Sequence, residues 1–462
     1  MAKTGSWLDL YLEYTRDLES PTIYHRWVGL TVLGHALGRR VWVPRGSKYP
    51  LFGAQMMVVL VGGSGVVRKT TAMNAGLDLY EGLPQGFGMV NVLPSRTSAQ
   101  KLVQEMTPFD EDGNPLDAVA LIAAPELGSF FSKESFNETL ATHIIPLHDA
   151  PAGLFNQETL GFSDRKYPVK YMGWEETLVN PCLGMIACTT ESGIARELPE
   201  QMLQGGFFGR VLWVWANETD RKLNPLVSLS NGHHDAMVQK LAVKGLDWAT
   251  WLRGPMLLTP EAEDKFSQWY VSPSRLAELH HKDDGLQTGY WPRKDSHIIR
   301  TALALNVADI VGEHPEWRAY RKHHKDELVD PTVPLPPIQW RQIETAMAWV
   351  RELEPGRELC TREMGRTRKS QLPMKILRML ERRVRDKGWA DRLLIIRRMH
   401  RACGANAEEC DRALAMLREA KEVYRQGENK KSWRWKRRLE PGPFAVEEAT
   451  EDELDEAEAT EG

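Results

Sequence analysis

Val58-Val59-Leu60-Val61-Gly62-Gly63-Ser64-Gly65-Val66-Val67-Arg68-Lys69-Thr70-Thr71 is the stretch on which the reading of this chain turns. An apolar run predicts a buried strand, the glycines predict a turn, and Ala72 to Tyr80 can continue as a helix. A polyphosphate needs several backbone N–H groups turned into one concavity, which requires glycines able to adopt positive φ. Gly62, Gly63 and Gly65 supply these, with Ser64, Val66 and Val67 completing the loop. Lys69 is the mobile cation for the terminal phosphates, Thr70 the hydroxyl for Mg²⁺, and the helix from Thr71 places its positive end behind both. The expected ligand is ATP with Mg²⁺.

Against the spacing G-x-x-x-x-G-K-[ST], Gly63 and Lys69-Thr70 are in place, but Arg68 stands where a glycine precedes the lysine. Arg68 is expected to keep an ordinary helical φ, with its guanidinium either on a phosphate or in solvent.

A chain of 462 residues exceeds one compact core and predicts two to four domains. Cys182, Cys188, Cys360, Cys403 and Cys410 show no C-x-x-C or Cys/His spacing, which argues against a disulfide framework or zinc site and for a reducing, cytoplasmic compartment. No apolar run approaches the ~18 residues of a spanning helix, so no membrane is expected as a partner, and the first residues lack a signal pattern. The net charge of −4 conceals an asymmetry: Thr361 to Arg438 holds 24 Lys/Arg against 10 Asp/Glu, a local +14, whereas Glu440 to Gly462 holds 10 acids and no base. The basic segment points to a polyanion and the acidic tail to a disordered, solubilising end.

Working outward, helices are predicted over Trp7 to Leu18 and Thr22 to Leu37, and a strand over Arg39 to Pro44. Further strands are expected at Met89 to Leu93, Ala118 to Ala123, Asn180 to Cys188 and Val211 to Trp215. Strands alternating with helices predict an α/β fold whose mainly parallel sheet is covered on both faces. Glu126, closing the strand Ala118 to Ala123, is the candidate for polarising an attacking water, although Pro125 replaces the acid that usually precedes it; a solvent-facing Glu126 is the alternative. Thr189 or Thr190 either orients that water or caps the next helix. Arg210, after Gly205-Gly206-Phe207-Phe208-Gly209, either stabilises phosphoryl charge, in cis or from a neighbouring subunit, or makes a surface salt bridge.

The order Tyr11-Leu12-Glu13-Tyr14-Thr15, Leu37-Gly38-Arg39-Arg40-Val41-Trp42, Val61 to Thr71, Pro125-Glu126-Leu127 and Gly206-Phe207-Phe208-Gly209-Arg210-Val211 resembles phage and prophage P-loop ATPases of the primase-helicase-associated type, over residues 5 to 350. The resemblance implies a RecA/AAA+-like P-loop NTPase core acting in phage DNA replication within a bacterial host, as a homo-oligomeric, hexameric ring with replication partners. In such rings, loops like Lys166 to Tyr171 face the channel. Lys166, Lys170 and Tyr171 are therefore candidates for DNA contact by charge and stacking, or else part of an ordinary surface hairpin.

From Asn217 to Met347 the pattern is helical and Trp-rich and predicts a helical lid domain, with Arg293, Lys294 or Arg300 over the nucleotide or on a solvated face. His280-His281 beside Asp283-Asp284 lacks the ligand count of a metal site. Trp389 to Arg401, with Leu393, Leu394 and Ile396 inward, then Ala407 to Lys421 and a hairpin through Ser432-Trp433-Arg434-Trp435-Lys436 predict a C-terminal winged helix, with Lys430, Lys431, Arg434 and Lys436 on DNA phosphates.

The expected domains are an N-terminal helical segment (1–45), P-loop ATPase core (46–218), helical lid (219–345), basic winged helix (346–438) and acidic tail (439–462). The leading expectation is an ATP-hydrolysing motor, a replicative helicase on single-stranded or forked DNA. The alternatives are an AAA+-like loader or recruitment ATPase and a nucleotide-binding DNA scaffold without unwinding.

Overall fold

The computed structural model describes residues 5–44, 53–84, 91–93, 99–106, 117–130, 144, 147–149, 154–156, 161–163, 166–171, 174–197, 206–221, 232–279, 289–365, 372, 376–377, 379–380, 390–403, 407–419, 423–426 and 434–437. Two compact units divide at Met364/Gly365. Among the described residues no helix is long and apolar enough to cross a membrane.

The first unit is α/β with parallel sheets. It opens with helices α1 (Trp7–Tyr14) and α2 (Thr22–Ala36) and the short strand β1 (Val41–Trp42). Strand β2 (Met57–Val61) leads into helix α3 (Lys69–Glu81), followed by β3 (Asn91–Leu93), α4 (Ala99–Glu105), β4 (Asp117–Ala124) and α5 (Leu127–Phe130). The hairpin β5 (Leu154–Asn156) and β6 (Gly161–Ser163) precedes β7 (Lys166–Tyr171) and β8 (Trp174–Thr189), then α6 (Glu191–Glu197), α7 (Phe207–Arg210) and β9 (Val211–Trp215).

The main sheet runs β3-β4-β8-β2-β9, all parallel, with β7 added antiparallel against the first part of β8. From β2 the chain crosses to the far edge at β3, then steps back through β4 to β8, and finally passes over β2 to β9. Right-handed crossovers send the connections of β2 and β8 to opposite faces. The packing agrees. Ala72, Met73 and Leu79 of α3 share one core with Val58 and Leu60, while Ile194 of α6 shares the other with Val59 and Val61. A crevice therefore opens beyond the carboxyl ends of β2 and β8, at Val61 and Thr189, where open α/β sheets bind ligands.

The segments expected as separate N-terminal and lid pieces are continuous with this body. Helices α1 and α2, helix Gly232–Trp251 and helix Lys294–Val311 pack into the same core as α3 and β2, because the last of these is apolar around most of its circumference. A second parallel sheet, β1 with β10 (Gly254–Leu258) and β11 (Leu335–Ile338), ties the N-terminal segment to the distant stretch that begins at Gly254, the partner of Val41. Helix Trp340–Glu352 runs across the expected boundary at 346 and packs as one piece against helix Lys294–Val311.

The second unit holds strand β12 (Ala390–Asp391), helices Arg392–Cys403 and Ala407–Glu419, and the antiparallel strands β13 (Val423–Gln426) and β14 (Arg434–Arg437), ordered β12-β14-β13. Its first helix is phased differently from expectation in part: Ile396 packs against the core as expected, but Ile395 and Met399 are the residues buried in it, and Leu393 is exposed. Arg392 forks onto Asp411 with two 2.7 Å hydrogen bonds, fixing the two helices to each other.

Candidate functional site

The loop Gly62 to Arg68 leaves β2, between β8 and the edge strand β9, at the crevice. Val61 lies level with Thr189 on one side and Trp215 on the other. The Gly62 N–H donates to the Thr189 carbonyl at 3.4 Å, and the Ala216 N–H to the Val61 carbonyl at 3.0 Å. Gly62 must be glycine, since a Cβ there would sit 2.4 Å from the Ala216 oxygen and 2.7 Å from the Tyr24 hydroxyl. Tyr24, reaching up from α2, donates to the Val61 carbonyl at 2.6 Å and supports the loop from below. Val67 is buried and anchors the loop, whereas Ser64, Gly65 and Val66 are exposed. Gly65 takes a left-handed φ of 73°.

Lys69 is the first residue of α3. Its ammonium curls back to donate to the Gly62 carbonyl at 2.7 Å and the Gly63 carbonyl at 3.1 Å. Partial burial lowers its pKa, against the raising influence of the Cys188 thiol. No side chain caps α3, so its first amides face the loop, an arrangement suited to an anion.

Arg68 corrects the expectation drawn from its side chain. It is left-handed, with φ 45° and ψ 44°, a backbone that glycine takes without strain. For a residue bearing a Cβ this costs about 1–2 kcal/mol. Tertiary contacts hold it there: the Ser20 hydroxyl donates to the Arg68 carbonyl at 2.8 Å, and Glu19 pairs with the guanidinium at 3.1 Å. Both partners come from the turn between α1 and α2.

Thr70 and Thr71 are exposed at the helix start. Burial pushes the Cys188 thiol up to about 12, while the charge of Lys69 and a hydrogen bond from Thr70 draw it down. This places β8 directly beneath the loop. Glu126 stands exposed two residues beyond β4, whose Ala124 is level with Ala187 of β8. Continuing that register sets Glu126 level with Thr189 and Val61, two strands from the loop, or roughly 10 Å at ordinary strand spacing. The Thr190 hydroxyl accepts from the Gly193 N–H at 3.1 Å and so caps α6 at the same level. Loop, Glu126 and Thr190 thus share one edge of the sheet.

Arg210 is at the other edge. It precedes Val211, which is level with Met57 at the start of β2, so the length of β9 separates it from its own chain's loop by roughly 16 Å. In this arrangement Arg210 does not approach its own chain's loop. Its guanidinium donates to Asp149 through Nε at 2.7 Å and to the Gly206 carbonyl at 2.8 Å. The pairing with Arg210, set against the cost of burial, holds the Asp149 carboxyl below its ordinary range.

The basic residues of helix Lys294–Val311 also gather at this edge and do not cover the loop. Arg300 donates to the Gln55 carbonyl at 2.8 Å and lies 2.8 Å from the His148 ring, and His297 is 3.0 Å from the Gly209 carbonyl. Lys294 is buried between Glu278 and Glu354, 2.7 Å from each, and Arg293 donates to Gly289.

Among the candidates for DNA contact, Lys166, Lys170 and Tyr171 lie on β7, which forms a hairpin with β8 as expected. Arg434 is exposed and pairs with Asp391 across β14 and β12 at 3.2 Å. Lys436 lies on β14, and Lys430 and Lys431 fall outside the described residues, as do His280, His281, Asp283 and Asp284. Among the described residues no group of three or more His, Cys, Asp or Glu side chains is placed to hold a metal ion.

Sequence reasoning missed Tyr24, Ser20 and Glu19, the residues that hold the loop from outside it. The one sign of them was a polar break, Glu19-Ser20-Pro21, between two apolar helices. No protein-family model matches this chain, and no curated protein matches it.

Proposed function

We propose that the first unit is a P-loop NTPase that binds Mg-ATP on Gly62, Gly63, Ser64, Gly65, Val66, Val67, Arg68, Lys69, Thr70 and Thr71, and couples its hydrolysis to movement on DNA. The observation that carries this reading is the position of the loop. A glycine-rich turn ending in an uncapped helix with Lys69 at its head leaves an inner strand, next to β8, at the crevice of a parallel sheet. The residues present fit a triphosphate: Gly62 has no room for a side chain, and the two carbonyls now holding Lys69 can be exchanged for phosphate oxygens. Mg²⁺ bound with the nucleotide would supply Lewis-acid stabilisation, with Thr70 as its protein ligand. Glu126, on the same edge, would take the proton of an attacking water, with Thr190 helping to orient it. Arg210 would serve a neighbouring copy, which makes the active species an oligomer, in keeping with a ring.

The second unit supports the DNA part of the reading. A strand, two helices and a hairpin follow one another as in a winged helix, and the second helix exposes Arg412 and Arg418. With the local excess of 14 positive charges, phosphate contacts account for such binding. The function supported best is a replicative helicase or translocase.

The test is titration of a fluorescent ATP analogue with Mg²⁺, followed by turnover with and without single-stranded DNA and strand displacement on a fork. Lys69→Ala is expected to weaken nucleotide binding by about a hundredfold, two charge-assisted contacts of about 1.5 kcal/mol each. Glu126→Gln should bind as the parent does and lose DNA-stimulated turnover. Equal binding by parent and Lys69→Ala overturns the reading.

A further inference from the structure

We propose that Arg68 is a second phosphate-binding cation of this loop, held off it by Glu19 and released by the arriving triphosphate. The inference rests on the nucleotide reading above and goes beyond it, by assigning a switch to a residue that departs from the loop motif.

Three observations carry it. Arg68 keeps a left-handed backbone that glycine would take without strain, and its own side chain contributes nothing to the core, being about half exposed (55%). Strain retained without a packing return points to a function for the side chain. Next, its partner is replaceable: the 3.1 Å contact with Glu19, itself 33% exposed, is a solvent-screened ion pair. A triphosphate carries more charge than one carboxylate and offers a planar guanidinium paired oxygens, so it outcompetes Glu19. Finally, the backbone need not move in the exchange. Ser20 holds the Arg68 carbonyl independently of the guanidinium, so only one side chain swings.

The Glu19 carbonyl accepts from the Thr219 hydroxyl, and Arg221 binds the Thr15 carbonyl and, at 3.0 Å, the Thr22 hydroxyl. The Thr22 N–H donates to Asp220 at 2.9 Å. The turn between α1 and α2 is thus tied to the segment that leaves β9 by contacts that the exchange at the Glu19 carboxylate leaves in place.

The experiment measures affinity for Mg-ATP and Mg-ADP analogues in the parent, Glu19→Gln, Arg68→Asn and the double variant, with Lys69→Ala alongside. Asparagine tolerates the left-handed backbone without charge, and thermal melting of each variant confirms folding; Arg68→Gly is the second choice if Arg68→Asn melts early. Arg68→Asn is expected to weaken triphosphate binding about tenfold, with a smaller effect on the diphosphate. Glu19→Gln should tighten it about threefold or more, and the double variant should match Arg68→Asn alone, since Glu19 acts through Arg68. Arg68→Asn within twofold of the parent, or a Glu19→Gln gain that persists without Arg68, overturns the inference. If Lys69→Ala loses nucleotide while these variants do not differ, this switch fails and the nucleotide site stands. If the parent binds no nucleotide, both fall.

Discussion

Replacing Gly62 by alanine tests the architecture beneath the loop without reference to any ligand. The added Cβ would meet the Ala216 carbonyl oxygen at 2.4 Å, the Tyr24 hydroxyl at 2.7 Å and a Val67 methyl at 2.7 Å. None of the three yields easily. Ala216 is fixed by its own N–H bond to Val61 at 3.0 Å, Tyr24 by the 2.6 Å bond to the same carbonyl, and Val67 by burial. Overpacking of a filled site costs about 1–3 kcal/mol. Losing the tyrosine bond adds about 1 kcal/mol, at the low end because the Val61 carbonyl keeps its other donor. The sum is roughly 2–4 kcal/mol. With about 2 cal/mol/K of unfolding entropy per residue, the unit ending at Met364 should then melt roughly 3–5 °C lower. Gly63→Ala is the control: its nearest neighbour is a Val66 methyl at 3.4 Å and its φ is not left-handed, so it should melt within about 1 °C of the parent. The assay is thermal unfolding by near-UV circular dichroism, where Trp213 and Tyr24 report on the sheet. A Gly62→Ala protein that melts with the parent, or above Gly63→Ala, refutes the argument.

Two further outcomes follow from the same structure. Burial holds His25, His35 and His297 neutral, with pKa values pushed down to about 3; the unfolded chain binds more protons below about pH 6.5, so stability falls as pH drops, by about 2 kcal/mol per histidine at pH 5. Asp78 and Asp309, raised by burial, act in the opposite sense lower in the carboxylate range, so the melting temperature should drop steeply between pH 7 and 5, and a flat profile would contradict the histidine assignment. Arg210→Ala should leave nucleotide affinity within about twofold, because its backbone is the length of β9, roughly 16 Å, from its own loop and Asp149 holds the guanidinium, while abolishing the turnover that rises with protein concentration. Equal losses of affinity and turnover would place Arg210 in its own site after all.

What the sequence disclosed was local. The run Val58 to Val61, the glycines after it and the strand Val211 to Trp215 are legible because a buried parallel strand is apolar on both faces and its ends are marked by turn residues. Strand order was not legible, since β2 pairs with residues more than a hundred positions away and nothing in either run names its neighbour. The charges of helix Lys294–Val311 misled for a related reason. Lys294 reads as solvent-facing until Glu278 and Glu354, remote in sequence, close on it, and Arg300 finds its acceptor at Gln55. Arg68 misled because side-chain preference was applied to a backbone that Ser20 and Glu19 fix from outside. Leu393 was misplaced by one helical position, as hydrophobic runs without a clear polar face leave the phase of a helix open.

On the proposed reading, the distribution of cations divides binding from turnover. Lys69 and Arg68 are both engaged with protein oxygens already, the first with two loop carbonyls and the second with a carboxylate. Binding a triphosphate exchanges the acceptors of both cations, and its selectivity lies in geometry: one ligand must satisfy both at once. A monoanion satisfies one and leaves Glu19 in place. A single chain therefore holds everything needed to bind. Arg210, the cation proposed for the far side of the phosphates, sits at the opposite edge with Asp149. Affinity should therefore be independent of protein concentration while turnover is not, and this separation distinguishes an assembled motor from a one-chain hydrolase before any DNA is added.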